Sequence, residues 1–562
     1  MPRAEALPAF LTRRRAEIGA FGLYGLASFL FMGLPLLERP GPSLVGQGSD
    51  PTLFAWDMGW WPHAILHGEN PFVSHAVWAP DGVNLAWTTS VPAIAIVFSP
   101  LTLIAGPVAA LNVANVLMPA LSAFTAFLLC RYLTRAFWPA LVGGYLFGLS
   151  SDILVHSEGA ELHVSAAFVL PLVPLVLLRF LNGELGNVGL VVRLGILLAV
   201  QLLIGTELSL MLAVALVLSL ALALLIFSGR RRQLVSLVPR VLAGYALAGV
   251  LTSPFLYFAL SDFRTGPANP QDSYYSDLLS FVVPSRPSNY LLDFAYRGLH
   301  TRLAGPEAYL GLPVLLMVFL FVRLRGRTPE GRFLAAAFLA GVVLSLGPYL
   351  IVDGEKIGVL PWALVHNLAG FDNILTARFA IFVSLAAAAA GSLWLASRNA
   401  GVLRWALPVV AVVFLVPTVK VDAWAEAAGV PAFFTAGKYG SCLDPGETIL
   451  PLPISDGESN LWQTEGGYRF AMAGGWFGQA FVPKSFLATP ALAHVASGLR
   501  LSAAEAPAVR AFVAAKNIDA IVVDSKEIRA FQGALDAIAT PRRVGGVVLY
   551  DLSPAAPPCA GA

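Results

Sequence analysis

Apolar stretches long enough to cross a bilayer recur along this chain, near 18–37, 108–130, 139–152, 164–181, 190–206, 208–227, 238–260, 308–323, 333–351, 379–396 and 403–418. The hydrocarbon core of a membrane is about 30 Å thick, so a spanning helix takes roughly 17–25 such residues. So many stretches cannot be hidden in one soluble core. Only 12% of the 562 residues are charged, against about 25% in soluble domains. The expected fold is therefore an α-helical polytopic membrane protein with about eleven spans. A net charge of +2 argues against a nucleic-acid partner. Arg13, Arg14 and Arg15 precede the first stretch. That stretch is long enough to span, so it is expected as a retained first helix rather than a cleaved leader.

Arginine clusters orient the spans, because cytoplasmic loops collect positive charge. Arg131 and Arg135, Arg179, Arg230 to Arg232, the group Arg323, Arg325, Arg327 and Arg332, and the pair Arg398 and Arg404 all fall on one side of an eleven-span arrangement. That side is expected to be the cytoplasm. The segment 91–106 is apolar but interrupted by Pro100. It is expected as a re-entrant or interfacial helix, since a further crossing there would move the later clusters across the membrane.

The opposite face receives the polar segments. They are a first loop (38–107), SSDILVHSEGAELH (150–163), GTELS (205–209), a loop at 261–307 and VDGEKIGVLPWALVHNLAGFDNILTAR (352–378). Residues 1–418 thus form the membrane domain. Residues 419–562 lose the spanning stretches and show strand-like TILPLP (448–453), AIVVD (520–524) and GGVVLYDL (545–552), with helix-like AEAPAVRAFVAAK (504–516). Alternation of this kind predicts a small α/β domain, here extracytoplasmic. Cys442 and Cys559 lie in it, and either pair as a disulfide or remain as two thiols.

The first loop concentrates chemistry. GSDPTLFAWDMGWWPHAILHGENPFVSHAVWAPDGVNLAW, Gly48 to Trp87, is too rich in aromatics for a disordered connection. Asp50 and Asp57 are candidate general bases for an acceptor hydroxyl, or helix-capping carboxylates of no catalytic use. Trp56, Trp60 and Trp61 fall at helical spacing. They read as a membrane-interface belt, with stacking of Trp60 and Trp61 on a sugar as the alternative. In the second loop His156, Glu158, Glu161 and His163 form a polar site wall or bind a divalent cation; no spacing as specific as HExxH supports the metal, so the cofactor stays open. Arg378, at the non-cytoplasmic face, either grips a phosphate with its bidentate fork or pairs with Asp372. Arg264 and Arg286 are weaker candidates of the same kind. Glu207 sits between two long apolar runs, where an acid is costly unless paired or functional; a hairpin tip in water would account for it equally well. No P-loop, GxSxG elbow or dinucleotide fingerprint is present, and the cytoplasmic loops are too short for a nucleotide-binding domain.

These residues carry a resemblance. Gly48-Ser49-Asp50, Trp56, Trp60-Trp61, Gly68-Glu69-Asn70-Pro71-Phe72 and Pro80-Asp81-Gly82-Val83-Asn84-Leu85 form one pattern. It continues with LLCRYLTRAFWPALVGGYLFGLS (128–150), GPEAYLGLPVLL (305–316), SLGPYL (345–350) and NILTARF (373–379). Over most of 1–400 the chain resembles the GT-C superfamily of integral membrane glycosyltransferases. The resemblance implies a polyprenyl-phosphate-linked sugar as donor, a glycan, lipid or protein acceptor, and chemistry on the outer face of the bacterial cytoplasmic membrane. It places the catalytic acid at Asp50 and a second acidic motif at Glu158 or Glu161. Those two glutamates do not reproduce the DxD or DxE spacing of the superfamily, which bears against a metal. A lipid-linked saccharide flippase is the alternative; it would carry charge deep inside its spans or internal repeats, and neither is evident.

Overall fold

The computed structural model describes residues 6–34, 37, 43–46, 49–262, 274–284, 303–397, 401–417, 430–454, 457–552 and 559. The chain divides into two compact units. The first comprises Met1–Glu38, Val113–Ser253 and Arg264–Val421, and the second Arg39–Asn112, Pro254–Phe263 and Asp422–Ala562.

The chain is a helical, multi-pass membrane protein. Among the described residues seven helices are long and apolar enough to cross a membrane: Arg15–Gly33, Pro107–Thr134, Leu162–Leu181, Asn187–Ile204, Thr206–Ile226, Ser228–Leu251 and Thr376–Leu395. An eighth is obtained if Phe137–Gly148 and Ser151–Glu158, bent by 42°, count as one broken span. This corrects the expectation of eleven. The stretches near 308–323, 333–351 and 403–418 fold as helices Gly311–Arg325, Pro329–Ser345 and Leu403–Phe414, of 15, 17 and 12 residues. At about 1.5 Å rise per residue the helices of 15 and 12 residues fall short of a core about 30 Å thick, and the 17-residue helix stands at the lower limit of spanning length. The stretch near 238–260 breaks at Thr252, and Pro254 falls in the first turn of the helix Ser253–Ser261 that follows, where its missing amide donor costs no helical hydrogen bond.

Within the first unit the Thr376–Leu395 helix lies at the centre. It packs against Phe137–Gly148, Gly311–Arg325 and Pro329–Ser345. Its run Ala386 to Gly391 is buried throughout, and such small side chains let helix backbones approach closely. A Cβ on Gly143 would lie 3.2 Å from the Ala388 carbonyl and would overlap Ser392 Oγ. The end of the expected span near 333–351 and the start of the loop 352–378 instead form a short antiparallel hairpin, β3 (Tyr349–Val352) with β4 (Glu355–Val359).

The second unit combines the first loop with the C-terminal residues. Helix Asp50–His67 ends at Gly68, which adopts the left-handed conformation (φ 71°) that caps a helix C-terminus. A small hairpin, β1 (Val73–Ser74) with β2 (Val83–Asn84), follows. The five-stranded sheet contains β5 (Thr448–Leu452), β6 (Ala471–Met472), β7 (Ala520–Asp524), β8 (Pro541–Val544) and β9 (Val547–Asp551), in the order β6-β5-β7-β9-β8. β5 pairs in parallel with both β6 and β7, while β9 runs antiparallel to β7 and β8. β7, AIVVD, is buried along its whole length, as expected of a central strand covered on both faces. Helix Ala506–Ala515 supplies part of that cover. The three strand-like runs and this helix are those expected from sequence; β6 and β8 are additional.

Trp56, Trp60 and Trp78 of the first loop belong to this core, and Trp61 is buried against Phe72 and the Ser90 carbonyl. Trp56, Trp60 and Trp61 are at most 2% exposed. Trp56 stacks on Trp60 with ring centroids 5.2 Å apart. Trp56 Nε1 donates to Gln463 Oε1 at 2.6 Å, and Gln463 Nε2 donates to the carbonyls of Ala76 and Phe470. A buried amide is tolerated when its polar atoms are satisfied in this way. The interface-belt expectation is therefore corrected. Helical spacing revealed a buried face, and that face packs on protein rather than lipid. Helix Pro92–Ala105, at fourteen residues, packs on Asp50–His67 and leaves Ile96, Val97, Leu103 and Ile104 exposed.

Cys442 and Cys559 are joined as a disulfide, with Cα atoms 4.5 Å apart. The free thiol is that of Cys130, which is buried.

Candidate functional site

A charged cluster forms in the first unit where the Thr376–Leu395 helix begins. Glu207 stands in the first turn of Thr206–Ile226, after Gly205. Any side chain at position 205 would press on the His163 carbonyl, since a Cβ there would lie 2.8 Å from it. Glu207 Oε1 accepts from the Leu375 amide at 2.8 Å, and Glu207 Oε2 accepts from Arg378 Nη1. The other arm of the same guanidinium, Nη2, donates to Glu161 Oε2 at 2.9 Å. That oxygen also takes His156 Nδ1 at 2.9 Å. One arginine fork therefore bridges two carboxylates from two different segments. The side chains of Arg378, Glu161 and Glu207 are 13, 22 and 15% exposed, so the pairing is largely desolvated.

The environment fixes the charge of Glu161. Burial by itself pushes a carboxyl up. Here the facing charges of His156 and Arg378 outweigh it and hold Glu161 well below the ordinary carboxylate range. His163 is buried within electrostatic reach of Glu161 and Arg378. Glu158 ends the Ser151–Glu158 helix, half-buried. Of the two glutamates weighed from sequence, it is Glu161 that the structure links to Arg378 and His156. Arg378 does not pair with Asp372: Asp372 Oδ1 instead accepts from the Gly370 amide and from Asn373 Nδ2, each at 2.9 Å. That alternative is corrected. Arg264 and Arg286 lie outside the described residues.

Two further acids belong to this cluster and were not singled out from sequence. Asp152 is fully buried, and neither of its oxygens has a hydrogen-bond partner among the described residues. It faces the charges of His156, Glu307 and Arg378. Glu307, in the 306–308 turn that packs on the Ser151–Glu158 helix, is 7% exposed. The only local hint of either was an acid beside an apolar span, the reasoning applied to Glu207. Among the described residues no group of three or more His, Cys, Asp or Glu is placed to hold a metal ion.

Phe379, the residue that follows Arg378, lines a largely apolar cavity. The cavity, of about 420 Å³, begins at Phe379 and continues past Phe382, Leu385, Val173, Leu212 and Leu344. At its other end stand Asn182, Arg230, Gln233 and Glu330.

The second unit holds the other two candidates. Asp50 is the first residue of its helix and is exposed, in a position where the helix dipole favours a carboxylate. Asp57, two turns on, is 0% exposed. Burial holds its carboxyl well above the ordinary range, and neither oxygen has a hydrogen-bond partner among the described residues. A protonated group sealed in a core cannot take a proton from an incoming acceptor. Of the two aspartates, only Asp50 meets the steric requirement for a base.

Comparison with known proteins defines the fold. A family model described as a domain of unknown function (DUF6311) matches residues 23–419. A comparison with curated proteins finds no match. Among solved structures, the arabinofuranosyltransferase AftD from Mycobacteria is similar at TM-score 0.52 and 14% identity, over 96% of this chain and 40% of that one. ArnT from Cupriavidus metallidurans, solved bound to undecaprenyl phosphate, gives 0.50 and 13%, over 96% and 98%. The oligosaccharyltransferase AglB from Archaeoglobus fulgidus, in complex with an inhibitory peptide and a dolichol-phosphate, gives 0.50 and 12%, over 96% and 74%. The fold is that of the GT-C membrane glycosyltransferases.

Proposed function

As this chain belongs to the DUF6311 family, we propose its activity from its fold and its charged site: transfer of a sugar from a polyprenyl-phosphate donor to an envelope glycan, lipid or protein acceptor. The observation that carries this reading is the juxtaposition of Arg378 with the cavity that starts at Phe379. A guanidinium at the head of an apolar slot suits an anionic phosphate on a long hydrocarbon tail. The structures of ArnT and AglB, which share the fold, hold undecaprenyl phosphate and a dolichol-phosphate.

In this mechanism the donor phosphate takes over part of the Arg378 fork from Glu161 or Glu207. Asp50 accepts the proton of an acceptor hydroxyl. The freed oxygen attacks the anomeric carbon, the bond from that carbon to the phosphate oxygen breaks, and the lipid phosphate leaves with the electron pair. The anomeric configuration inverts. Arg378 stabilises the charge that grows on the leaving phosphate. His156, Glu161 and Glu207 hold the arginine in place, and Glu158 and His163 extend the polar wall. Trp60 and Trp61, being core residues, support the helix that carries Asp50.

The reaction is proposed on the outer face of the cytoplasmic membrane, with the N-terminus cytoplasmic. The Cys442–Cys559 disulfide supports an extracytoplasmic second unit, since such bonds persist in oxidising compartments. The test is incubation of the purified protein with a panel of polyprenyl-phosphate sugars. Release of free polyprenyl phosphate by the wild type and its loss in Arg378→Ala are expected. No release from any donor, with envelope extract supplied as acceptor, would overturn the reading.

A further inference from the structure

The start of the helix that carries Asp50 lies against Gly457, just over four hundred residues away in sequence. Helix Glu458–Glu465 starts from Gly457, which adopts the left-handed conformation (φ 75°). Gly457 lies against the start of helix Asp50–His67. A Cβ built on it would come within 2.5 Å of Thr52 Oγ1, 3.3 Å of Ser49 Cβ and 3.4 Å of the Ser49 carbonyl. Thr52 Oγ1 is itself committed, donating to the Ser49 carbonyl at 2.7 Å. The same carbonyl receives the Leu53 amide at 3.2 Å. Ser49, Thr52 and Gly457 thus form one tight corner, and Asp50 is part of its backbone.

The rest of the two helices keeps the corner closed. Trp56 Nε1 donates to Gln463 Oε1, and Tyr468 Oη donates to the Trp56 carbonyl at 2.9 Å. The two helices lie against each other along their length. A glycine in the left-handed region with no room for a methyl group marks a place where backbone approach is required.

We infer that Gly457 is a positioning residue for Asp50, and that through Gly457, at the start of helix Glu458–Glu465, the C-terminal residues are a working part of the proposed transferase site. The inference rests on Asp50 as the base, and its test separates the two. The first arm uses no substrate. In Ser49→Cys/Thr52→Ala/Gly457→Cys, where Thr52→Ala removes the hydroxyl that a Cβ at position 457 would meet, the Cβ separation of 3.3 Å is close to the ~3.5–4.5 Å of disulfides. Mild oxidation of the full-length protein should crosslink the two segments, seen as a joined peptide after digestion; absence of the crosslink would overturn the placement. The second arm is kinetic, with the donor that the panel identifies. Gly457→Ala should lower kcat by about 10–100-fold, as a displacement of the order of 1 Å does, with donor KM unchanged. Thr52→Ala, which vacates the space, should restore much of the rate in the double variant. In an Asp50→Asn background Gly457→Ala should cost nothing further. A further equal loss there, or a wild-type rate in Gly457→Ala alone, would overturn the positioning role. Full activity of Asp50→Asn alone would instead remove the base reading while the crosslink stood.

Discussion

Removal of Arg378 tests the site at its most connected residue. The guanidinium holds Glu161 and Glu207 at once, with Asp152 and Glu307 close by. Among the described residues, Arg378→Ala leaves these carboxylates facing one another with His156 as the cationic partner that remains. Breaking a buried ion pair by deleting one partner costs about 3–5 kcal/mol. At about 2 °C per kcal/mol, the lower end for larger domains, the unfolding midpoint should fall by roughly 6–10 °C. The assay is a thermal scan of detergent-solubilised protein at one fixed scan rate, because membrane proteins of this size unfold irreversibly. Arg378→Lys should fall between, since one ammonium cannot span two carboxylates as the fork does. Glu207→Gln should couple to it: the combined Arg378→Ala/Glu207→Gln variant should lose less than the two single losses added together. The pH dependence gives a second reading. Glu161 titrates below its unfolded value near 4.3, so its contribution is present above that pH and is lost as pH falls through the folded value. Without Arg378 this acid sensitivity should shrink. A midpoint within about 1 °C of wild type, with unchanged acid sensitivity, would show that the arginine does not hold the cluster together.

Three further outcomes are expected. Asp50→Asn should lower turnover by about 10²–10⁴-fold with donor binding preserved, measured by equilibrium binding of the donor beside the rate; a near wild-type rate would exclude Asp50 as base. Asp57→Leu should stabilise the second unit by about 1–3 kcal/mol at neutral pH, because it removes a buried carboxyl without hydrogen-bond partners. The sign follows from the raised folded value: wild-type stability from this group is present at low pH and is lost as pH rises from about 3.9 toward that value, so a variant less stable than wild type at pH 7 would contradict it. Cys442→Ala should destabilise the C-terminal residues by about 2–5 kcal/mol, seen as faster proteolysis of that region, and wild-type protein should carry no alkylatable thiol at Cys442 or Cys559 before reduction.

The membrane class was legible because spanning length and apolar content are properties of single segments. The number of spans was not, because it depends on where each helix stops. Apolar sequence begins before Gly311–Arg325, at Ala308 to Leu310, and continues past Leu403–Phe414, at Leu415 and Val416, and in both cases the helix itself is too short to cross. The C-terminal sheet was legible in β5, β7 and β9, whose runs are buried on both faces. It was not legible in β6, a two-residue strand, or in β8, whose charged PRRV reads as a loop.

The site divides along the same line. Arg378 was visible because a cation at a face expected to be non-cytoplasmic is anomalous by itself. Its partners were not visible, because pairing Arg378 with Glu161 and Glu207 joins residues 217 and 171 positions apart, whereas Asp372, the partner expected from proximity, bonds within its own turn. The tryptophans make the same point from the other direction. Their helical spacing specified that one face of Asp50–His67 is covered, and an aromatic stripe next to a membrane suggested lipid. The partner is Gln463, four hundred residues on. Periodicity states that a face is buried; what covers it is decided by tertiary contacts that no local window contains. For Asp50 and Asp57 that difference decides the chemistry. Seven residues apart on one helix, they are equivalent as sequence, yet one stands at an exposed helix start fixed by Gly457 and the other is sealed in the core as a protonated acid.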